Sequence, residues 1–478
     1  MSKRPIKFGT DGWRAGIADG YTFESVRYCA QGTADYLHAS GLAARGMIVG
    51  YDMRFLSEEF AQAVAEVLAG NGIPVFLADH AAPTPVLSYN ILPRRAAGGI
   101  WITASHNPPT DSGYKLRSDY GGAAAPETLE LVERRIAAAQ ESDRVEYTDF
   151  DAGVRQGLIQ LFDPDGPYEE QLARLIDVNP IKQAGLRIVA DPMWGVGQGW
   201  FTRLLGGGAT VIKEIHGERN PLFPGMARPE PIASNLVGLL EAIEPFGADA
   251  GLANDGDADR VGFADEHGQF VNQLQVYALL AYYMLGVRGL RGPLVRSISS
   301  TVMANKLAAH YDVPVYETGV GFKYVAPKMI ETNALIGGEE SGGFAFANHI
   351  PERDGILAGL YLLDLMVRTG KRPSQLIETL FDLVGPHYYD RVDREMPPER
   401  KAEVVERVAA AEPTHIAGLK VVEIDRSDGF RYVLEDGQWA LIRFSGTEPV
   451  IRVYCEVTAE QRVSAVLAEG LAIAGLEA

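Results

Sequence analysis

The stretch that decides the fold is 46–78, GMIVGYDMRFLSEEFAQAVAEVLAGNGIPVFLA. Gly46–Tyr51 is a short apolar run of the kind that forms a buried strand, and Ile73–Ala78 is a second. Between them Glu58–Asn71 places its apolar residues at helical spacing, which predicts an amphipathic helix. Strands separated by a helix of this size imply α/β layers. The unit returns twice. Leu186–Asp191, the glycine-rich turn Gly195–Gly199, a helix over Trp200–Leu205 and a strand over Ala209–Ile212 make the second copy. Leu294–Ser299, a helix over Thr301–Tyr311 and a strand over Val313–Glu317 make the third. We read these as three related α/β units, diverged copies of one domain.

Turn-rich breaks divide the chain. Phe162-Asp-Pro-Asp-Gly-Pro167 is one, a second lies near Gly268, and the third is Gly385–Pro398, with Pro386, Pro397 and Pro398. The expected domains are therefore 1–165, 166–268, 269–385 and 386–478. In the last, a helix over Lys401–Ala411 precedes strands over Leu419–Ile424, Gly429–Leu434, Trp439–Phe444 and Val450–Val457. That tail predicts a smaller, largely antiparallel α+β domain.

The 478 residues are 46% hydrophobic and 22% charged, as in ordinary globular proteins. No apolar run approaches the ~20 residues that span a bilayer. The two cysteines, Cys29 and Cys455, suit a reducing compartment, so a cytoplasmic location is expected. A net charge of −19 argues against nucleic-acid or anionic-membrane partners. An anionic substrate would need its cations gathered locally.

The strongest chemical signal is Asn254-Asp-Gly-Asp-Ala-Asp-Arg260. Asp255, Asp257 and Asp259 alternate with small residues, so three carboxylates can face one point and hold a hard cation such as Mg²⁺. A solvated acidic turn is the plain alternative. A calcium loop is excluded, because Arg260 stands where its glycine is required and the flanks look like strands. Arg260 beside the carboxylates suggests a ligand anion shared between a metal and a guanidinium. Arg443-Phe-Ser-Gly-Thr-Glu-Pro449 offers backbone N–H groups and hydroxyls between Arg443 and Arg452, a phosphate cradle or a common hairpin turn. Gly337-Gly-Glu-Glu-Ser-Gly-Gly343 presents Glu339 and Ser341, suited to sugar hydroxyls or to an ordinary glycine-rich loop. Neither Thr318-Gly-Val-Gly-Phe-Lys323 nor Gly195–Gly199 has the spacing of a nucleotide site, and the latter glycines are read as helix-entry packing.

Ile102-Thr-Ala-Ser-His-Asn-Pro-Pro109 ends a buried-looking strand with Ser105 and His106 side by side. Adjacent side chains in an extended segment face opposite ways, so the pair is not expected to act as nucleophile and base. A serine without such a base can still carry a phosphoryl group if a metal and cations stabilise it.

The ordered set FGTDGWR (8–14), TASHNPP (103–109), DGDADR (255–260), GEESGG (338–343) and RFSGTEP (443–449) resembles the α-D-phosphohexomutase family over nearly the whole chain. The resemblance implies three related α/β domains with mixed sheets and a smaller C-terminal α+β domain around a central cleft. It makes Ser105 the phosphorylated serine and a fourth Mg²⁺ ligand beside Asp255, Asp257 and Asp259, with Arg260 contacting the phosphoserine. Glu339 and Ser341 become the sugar-recognition pair, and Arg443, Ser445, Gly446, Thr447 and Arg452 the phosphate-binding loop. Arg14, His106, Lys115 and Lys323 fall at active-site cation or proton-transfer positions, with Lys115 the expected general acid/base. The implied reaction interconverts glucose 1-phosphate and glucose 6-phosphate through a hexose 1,6-bisphosphate, which also serves as activator. GEESGG looks like the phosphoglucomutase form of the sugar loop, since Gly343 stands where mannose/glucose and glucosamine mutases carry a histidine. A phosphomannomutase, a glucose 1,6-bisphosphate synthase and, from another class, a metal-dependent serine phosphatase are the competing readings. Sugar phosphates are the expected partners of a monomer or homodimer.

Overall fold

The structure, a computed structural model, describes residues 4–9, 11–444 and 450–477. The first sheet contains β1 (Trp13–Gly16), β2 (Met47–Tyr51), β3 (Val75–Ala78), β4 (Gly98–Ile102), β5 (Asp111–Ser118) and β6 (Ile159–Phe162), in the order β1-β5-β4-β2-β3-β6. The second contains β7 (Arg187–Asp191), β8 (Val211–Glu214), β9 (Ala250–Asn254), β10 (Val261–Ala264) and β11 (Phe270–Val271), in the order β11-β10-β9-β7-β8. The third contains β12 (Leu294–Ser297), β13 (Val315–Thr318), β14 (Ile336–Gly338) and β15 (Phe344–Phe346), in the order β13-β12-β14-β15.

The three sheets share one plan. A central strand (β2, β7, β12) has the next strand parallel on one side (β3, β8, β13) and the following one parallel on the other (β4, β9, β14). An antiparallel strand (β5, β10, β15) then folds back along that last one. The reversal is the equivalent loop in every copy: 103–110, 255–260 and 339–343. These are the serine, aspartate and GEESGG segments. The central strand Met47–Tyr51 is buried at every residue, and so reads as an unbroken apolar run. The helix Ser57–Gly70 buries Phe60, Val64, Val67 and Leu68, each contributing roughly 1.5–3 kcal/mol.

Several elements start a residue or two later than the sequence predicts, and two of these shifts have a visible cause. The strand expected over Ala209–Ile212 runs Val211–Glu214, because the glycines before it turn against Lys182, whose carbonyl accepts from Thr210 N (2.9 Å). The helix expected from Thr301 begins at Met303. Thr301 Oγ1 is occupied with Met303 N (2.9 Å) and with Glu456, a tie to the C-terminal unit.

That unit is an antiparallel sheet of β16 (Tyr388–Glu395), β17 (His415–Ile416), β18 (Leu419–Asp425), β19 (Phe430–Leu434), β20 (Trp439–Phe444) and β21 (Val450–Val457), in the order β16-β21-β20-β19-β18-β17. The helices Pro398–Ala410 and Val463–Ile473 cover its core. β16 lies inside the proline-marked break and was not expected; its side chains are half-buried or exposed, with no apolar alternation. The buried Glu456 anchors the unit by accepting from Val302 N (2.9 Å), and Trp439 Nε1 (2.8 Å) holds its carboxylate from within the unit. Arg431 grips Glu317 of the third sheet with both Nη atoms (2.6 and 2.8 Å). Among the described residues no helix is long and apolar enough to cross a membrane.

Asp354 ties the first three units together. It caps the helix Gly355–Thr369 through Leu357 N (2.8 Å), accepts from Tyr168 Oη (2.8 and 2.9 Å) and lies 2.9 Å from His349 Nε2. The Tyr89 ring stacks on His349 from the first unit. All of Tyr168, His349 and Asp354 are buried, so removing the carboxylate strands several polar groups. Asp354→Ala is expected to lower the thermal unfolding midpoint by about 6 °C or more, the equivalent of roughly 3–5 kcal/mol. Tyr168→Phe should cost less, and calorimetry of the two variants checks the order.

Candidate active site

Ser105 sits at the tip of the first reversal with a left-handed backbone (φ 52°). Arg54 holds it there. Its guanidinium donates to the carbonyls of Ser105 (2.6 Å), Asn107 (2.6 Å), Pro108 (2.8 Å) and Asp111 (3.2 Å). Arg54 is 1% exposed, pairs with Asp52 (3.3 Å) and lies over the Phe223 ring. Asp52 is in turn fixed by Ser57 Oγ (2.7 Å). The positive φ also corrects the expectation that Ser105 and His106 face apart. Ser105 Oγ lies 3.3 Å from His106 Nδ1, because the chain is not extended there. Burial, with Arg260 and Arg14 nearby, holds that imidazole well below its usual range and hence neutral.

The second reversal meets the first. Ser105 Oγ donates to Asp255 Oδ2 (2.9 Å). A Cβ on Gly256 would come within 2.5 Å of the Ser105 carbonyl, so the close approach of the two loops requires glycine there. Gly195, read as helix-entry packing, instead backs the aspartate loop. Its Cβ would meet Gly256 O at 2.6 Å.

Asp255, Asp257 and Asp259 are buried, and one oxygen of each lies within 4.8 Å of the others. Burial and the two neighbouring carboxylates push Asp255 well above the usual carboxylate range. Asp257 Oδ1 and Asp259 Oδ1 accept no hydrogen bond among the described residues. Orphaned buried carboxylate oxygens converging on one point fit a hard divalent cation, so these three residues could hold Mg²⁺ with Ser105 Oγ beside them. Arg260 Nε is a buried donor with no acceptor among the described residues, 3.9 Å from both Asp255 and Asp259. That free donor suits an anion lying between metal and guanidinium.

A buried ionic lattice backs the aspartates. Lys115 Nζ lies 2.8 Å from Asp257, 2.8 Å from Asp11 and 3.4 Å from Asp259. Burial opposes the Lys115 charge, but Asp11, Asp257 and Asp259 outweigh it and raise the pKa. Arg353 Nη2 reaches Asp11 (2.6 Å) and Asp259 (2.7 Å), and Arg117 joins Asp11 (2.9 Å) to Glu352 (2.6 Å). Asp11, Arg54, Arg117, Glu352 and Arg353 were missed from the sequence. Asp11 stands inside FGTDGWR, and Glu352-Arg353-Asp354 directly precedes a helix, which were the available signals. Arg14 joins the serine loop through Asn107 Oδ1 (2.6 Å).

Glu339, on the third reversal, accepts from Gly321 N (2.7 Å) and lies 4.0 Å from Arg353. Burial pushes its carboxyl up to about 7. Ser341 is half-buried on the same loop, and Lys323 is half-buried in the first turn of the helix Phe322–Thr332. Arg443 and Arg452 face each other across β20 and β21. Each is paired within its own unit, Arg443 with Asp428 (3.0 Å) and Arg452 with Asp393 (3.3 Å). Ser445, Gly446 and Thr447 lie outside the described residues.

The cation site is tested by titrating Mn²⁺ into the full chain and reading free ion by electron paramagnetic resonance. One tight equivalent is expected. Asp257→Asn or Asp259→Asn should weaken it by more than the roughly 10–100-fold that loss of an outer-shell partner costs. Unchanged binding in both variants would contradict the assignment.

Comparison with known proteins accounts for the whole layout. The chain matches phosphoglucomutase/phosphomannomutase α/β/α domain I over 5–143, domain II over 166–268, domain III over 272–384 and the C-terminal domain over 392–472. It is 32% identical to a phosphoglucomutase/phosphomannomutase of Thermococcus kodakarensis, covering 97% of each chain. It is 34% identical to a phosphoglucosamine mutase of Clavibacter sepedonicus, covering 98% of this chain and 100% of that one. A crystal structure of a Burkholderia thailandensis family protein superposes with a TM-score of 0.81 at 23% identity, covering 98% and 97% of the two chains, a likeness of fold. Matched in all four domains, in order, the chain belongs to the phosphoglucomutase/phosphomannomutase family and is a mutase-type isomerase.

Proposed function

We propose that the enzyme interconverts glucose 1-phosphate and glucose 6-phosphate through a phosphoserine at Ser105. The observation that carries this reading is the 2.9 Å contact of Ser105 Oγ with a buried three-aspartate cluster. A serine so placed suits phosphoryl transfer. Asp255, Asp257 and Asp259 would hold Mg²⁺, which when bound neutralises charge developing on the transferring group. Ser105 passes its phosphoryl to the free hydroxyl of a hexose phosphate: the Ser105 O–P bond breaks and a sugar O–P bond forms. The 1,6-bisphosphate reorients, and Ser105 takes back the other phosphate. A trace of bisphosphate primes the serine. His106, 3.3 Å from Ser105 Oγ, and Lys115, held among the aspartates, are the proton-transfer candidates. Arg443 and Arg452, with Ser445, Gly446 and Thr447, receive the phosphate that is not reacting. Glu339, Ser341 and Lys323 hold the sugar in both orientations.

Glucose is favoured by Gly343. A Cβ there would stand 2.2 Å from Arg353 Cδ, so Arg353 fills the space that a side chain would take. The site thus differs from those built around a histidine at this position. Mannose and glucosamine phosphates are the competing substrates, the latter because of the relative from Clavibacter. A bisphosphate synthase would use the same residues with another donor. The phosphatase reading has no support from the relatives, which are mutases by name. The reading carries a cytoplasmic location and small-molecule partners only.

The test incubates pure protein with Mg²⁺, glucose 1-phosphate and a trace of glucose 1,6-bisphosphate, with mannose and glucosamine phosphates in parallel. Glucose 6-phosphate should accumulate, and Ser105→Ala should abolish its formation. Steady release of inorganic phosphate without glucose 6-phosphate would sink the proposal. A second expectation concerns pH. Ionised Glu339 offers both oxygens as acceptors, and protonation as pH falls through about 7 removes its charge and turns one of them into a donor. kcat/KM should therefore drop on the acid side near pH 7, and Glu339→Gln should flatten that limb.

A further inference from the structure

Two successive amides before the helix Phe322–Thr332 point at carboxylates from different units. Val320 N–H donates to Asp428 Oδ2 (2.6 Å), and Gly321 N–H donates to Glu339 Oε1 (2.7 Å). Gly321 takes φ 124°, where a side chain is strained. Asp428 lies in the turn between β18 and β19 of the C-terminal unit. It also accepts from Arg443 Nε (3.0 Å) and Nη2 (3.2 Å). Gly319 packs beside it, where a Cβ would lie 3.2 Å from Asp428 Oδ2. One continuous run of charge-assisted hydrogen bonds thus joins Arg443, Asp428, the loop 319–321 and Glu339.

We propose that Asp428 is a positioning residue that couples phosphate capture at Arg443 to the placement of Glu339. The inference rests on the roles given to Arg443 and Glu339 in the proposed function. A phosphate arriving at Arg443 must share the guanidinium with Asp428. The same carboxylate fixes the Val320 amide, and the next amide fixes Glu339. Phosphate, arginine, loop and sugar-binding carboxylate therefore settle in one register, and Lys323 in the first helical turn moves with them. The C-terminal unit keeps its other anchors, Glu456 on Val302 and Arg431 on Glu317, so loss of Asp428 leaves it docked.

The experiment measures kcat and KM for glucose 1-phosphate, and competitive inhibition by inorganic phosphate, in wild type, Asp428→Ala, Asp428→Asn and Arg443→Ala. In Asp428→Ala, kcat should fall about tenfold, while phosphate inhibits about threefold more strongly because Arg443 has lost its counter-ion. General damage would weaken both together. Asp428→Asn keeps an acceptor for Val320 N–H, so kcat should stay within about threefold of wild type with the tighter phosphate inhibition retained. That variant also decides the matter if the alanine does not fold. Wild-type kcat in Asp428→Ala, equal kcat losses in Asp428→Ala and Asp428→Asn, or wild-type phosphate inhibition in Asp428→Asn overturns the coupling. Arg443→Ala should lose phosphate inhibition; if it keeps it, the cradle assignment is what fails.

Discussion

A single guanidinium, that of Arg54, donates to four backbone carbonyls in and just after the serine loop. A non-glycine residue in the left-handed region costs roughly 1–2 kcal/mol and persists only where its surroundings over-determine it. The fork of Arg54 does so for Ser105. The arginine's own burial is tolerable because Asp52 neutralises it and Ser57 fixes Asp52. Everything else in the site is placed relative to that loop: the aspartate cluster touches Ser105, and Arg14 reaches it through Asn107. Pro108 takes part as one of the acceptors for Arg54.

Three copies of one topology explain why chemistry from three regions of the chain converges. Each copy turns back at the same point, between its last parallel strand and the antiparallel strand beside it. One copy placed a hydroxyl there, the next carboxylates, and the third a glycine-rich loop with Glu339. A shared scaffold thus supplies unlike functions from equivalent positions, and the fourth unit, built on an antiparallel plan, adds the paired arginines.

The strands and the candidate residues at the three reversals were legible because they are local signals. Met47–Tyr51 is an apolar run, Asp255–Asp259 an alternation, and Ser105 the end of a strand. The supporting ions were not legible, because their partners are remote in sequence. Arg353 and Asp11 are 342 positions apart, and Lys115 and Asp257 are 142. No periodicity announces such a pair; only the meeting of the units does. The same holds for the late helix start at Met303, which reflects a tie to Glu456 and not helix propensity. The assumption that neighbouring side chains diverge failed at Ser105 for a different reason: it is true of extended backbone, and Arg54 removes that condition.

The crowding of Gly343 by Arg353 bears on how such an enzyme changes over evolutionary time. Any side chain at 343 needs the volume that Arg353 occupies, and Arg353 is itself committed to Asp11 and Asp259. The two positions are therefore epistatic. A lineage that exchanges the glycine for a larger residue must reroute the arginine as well, and with it the charge balance behind the aspartates. Residue 343 and the ionic lattice are inherited together.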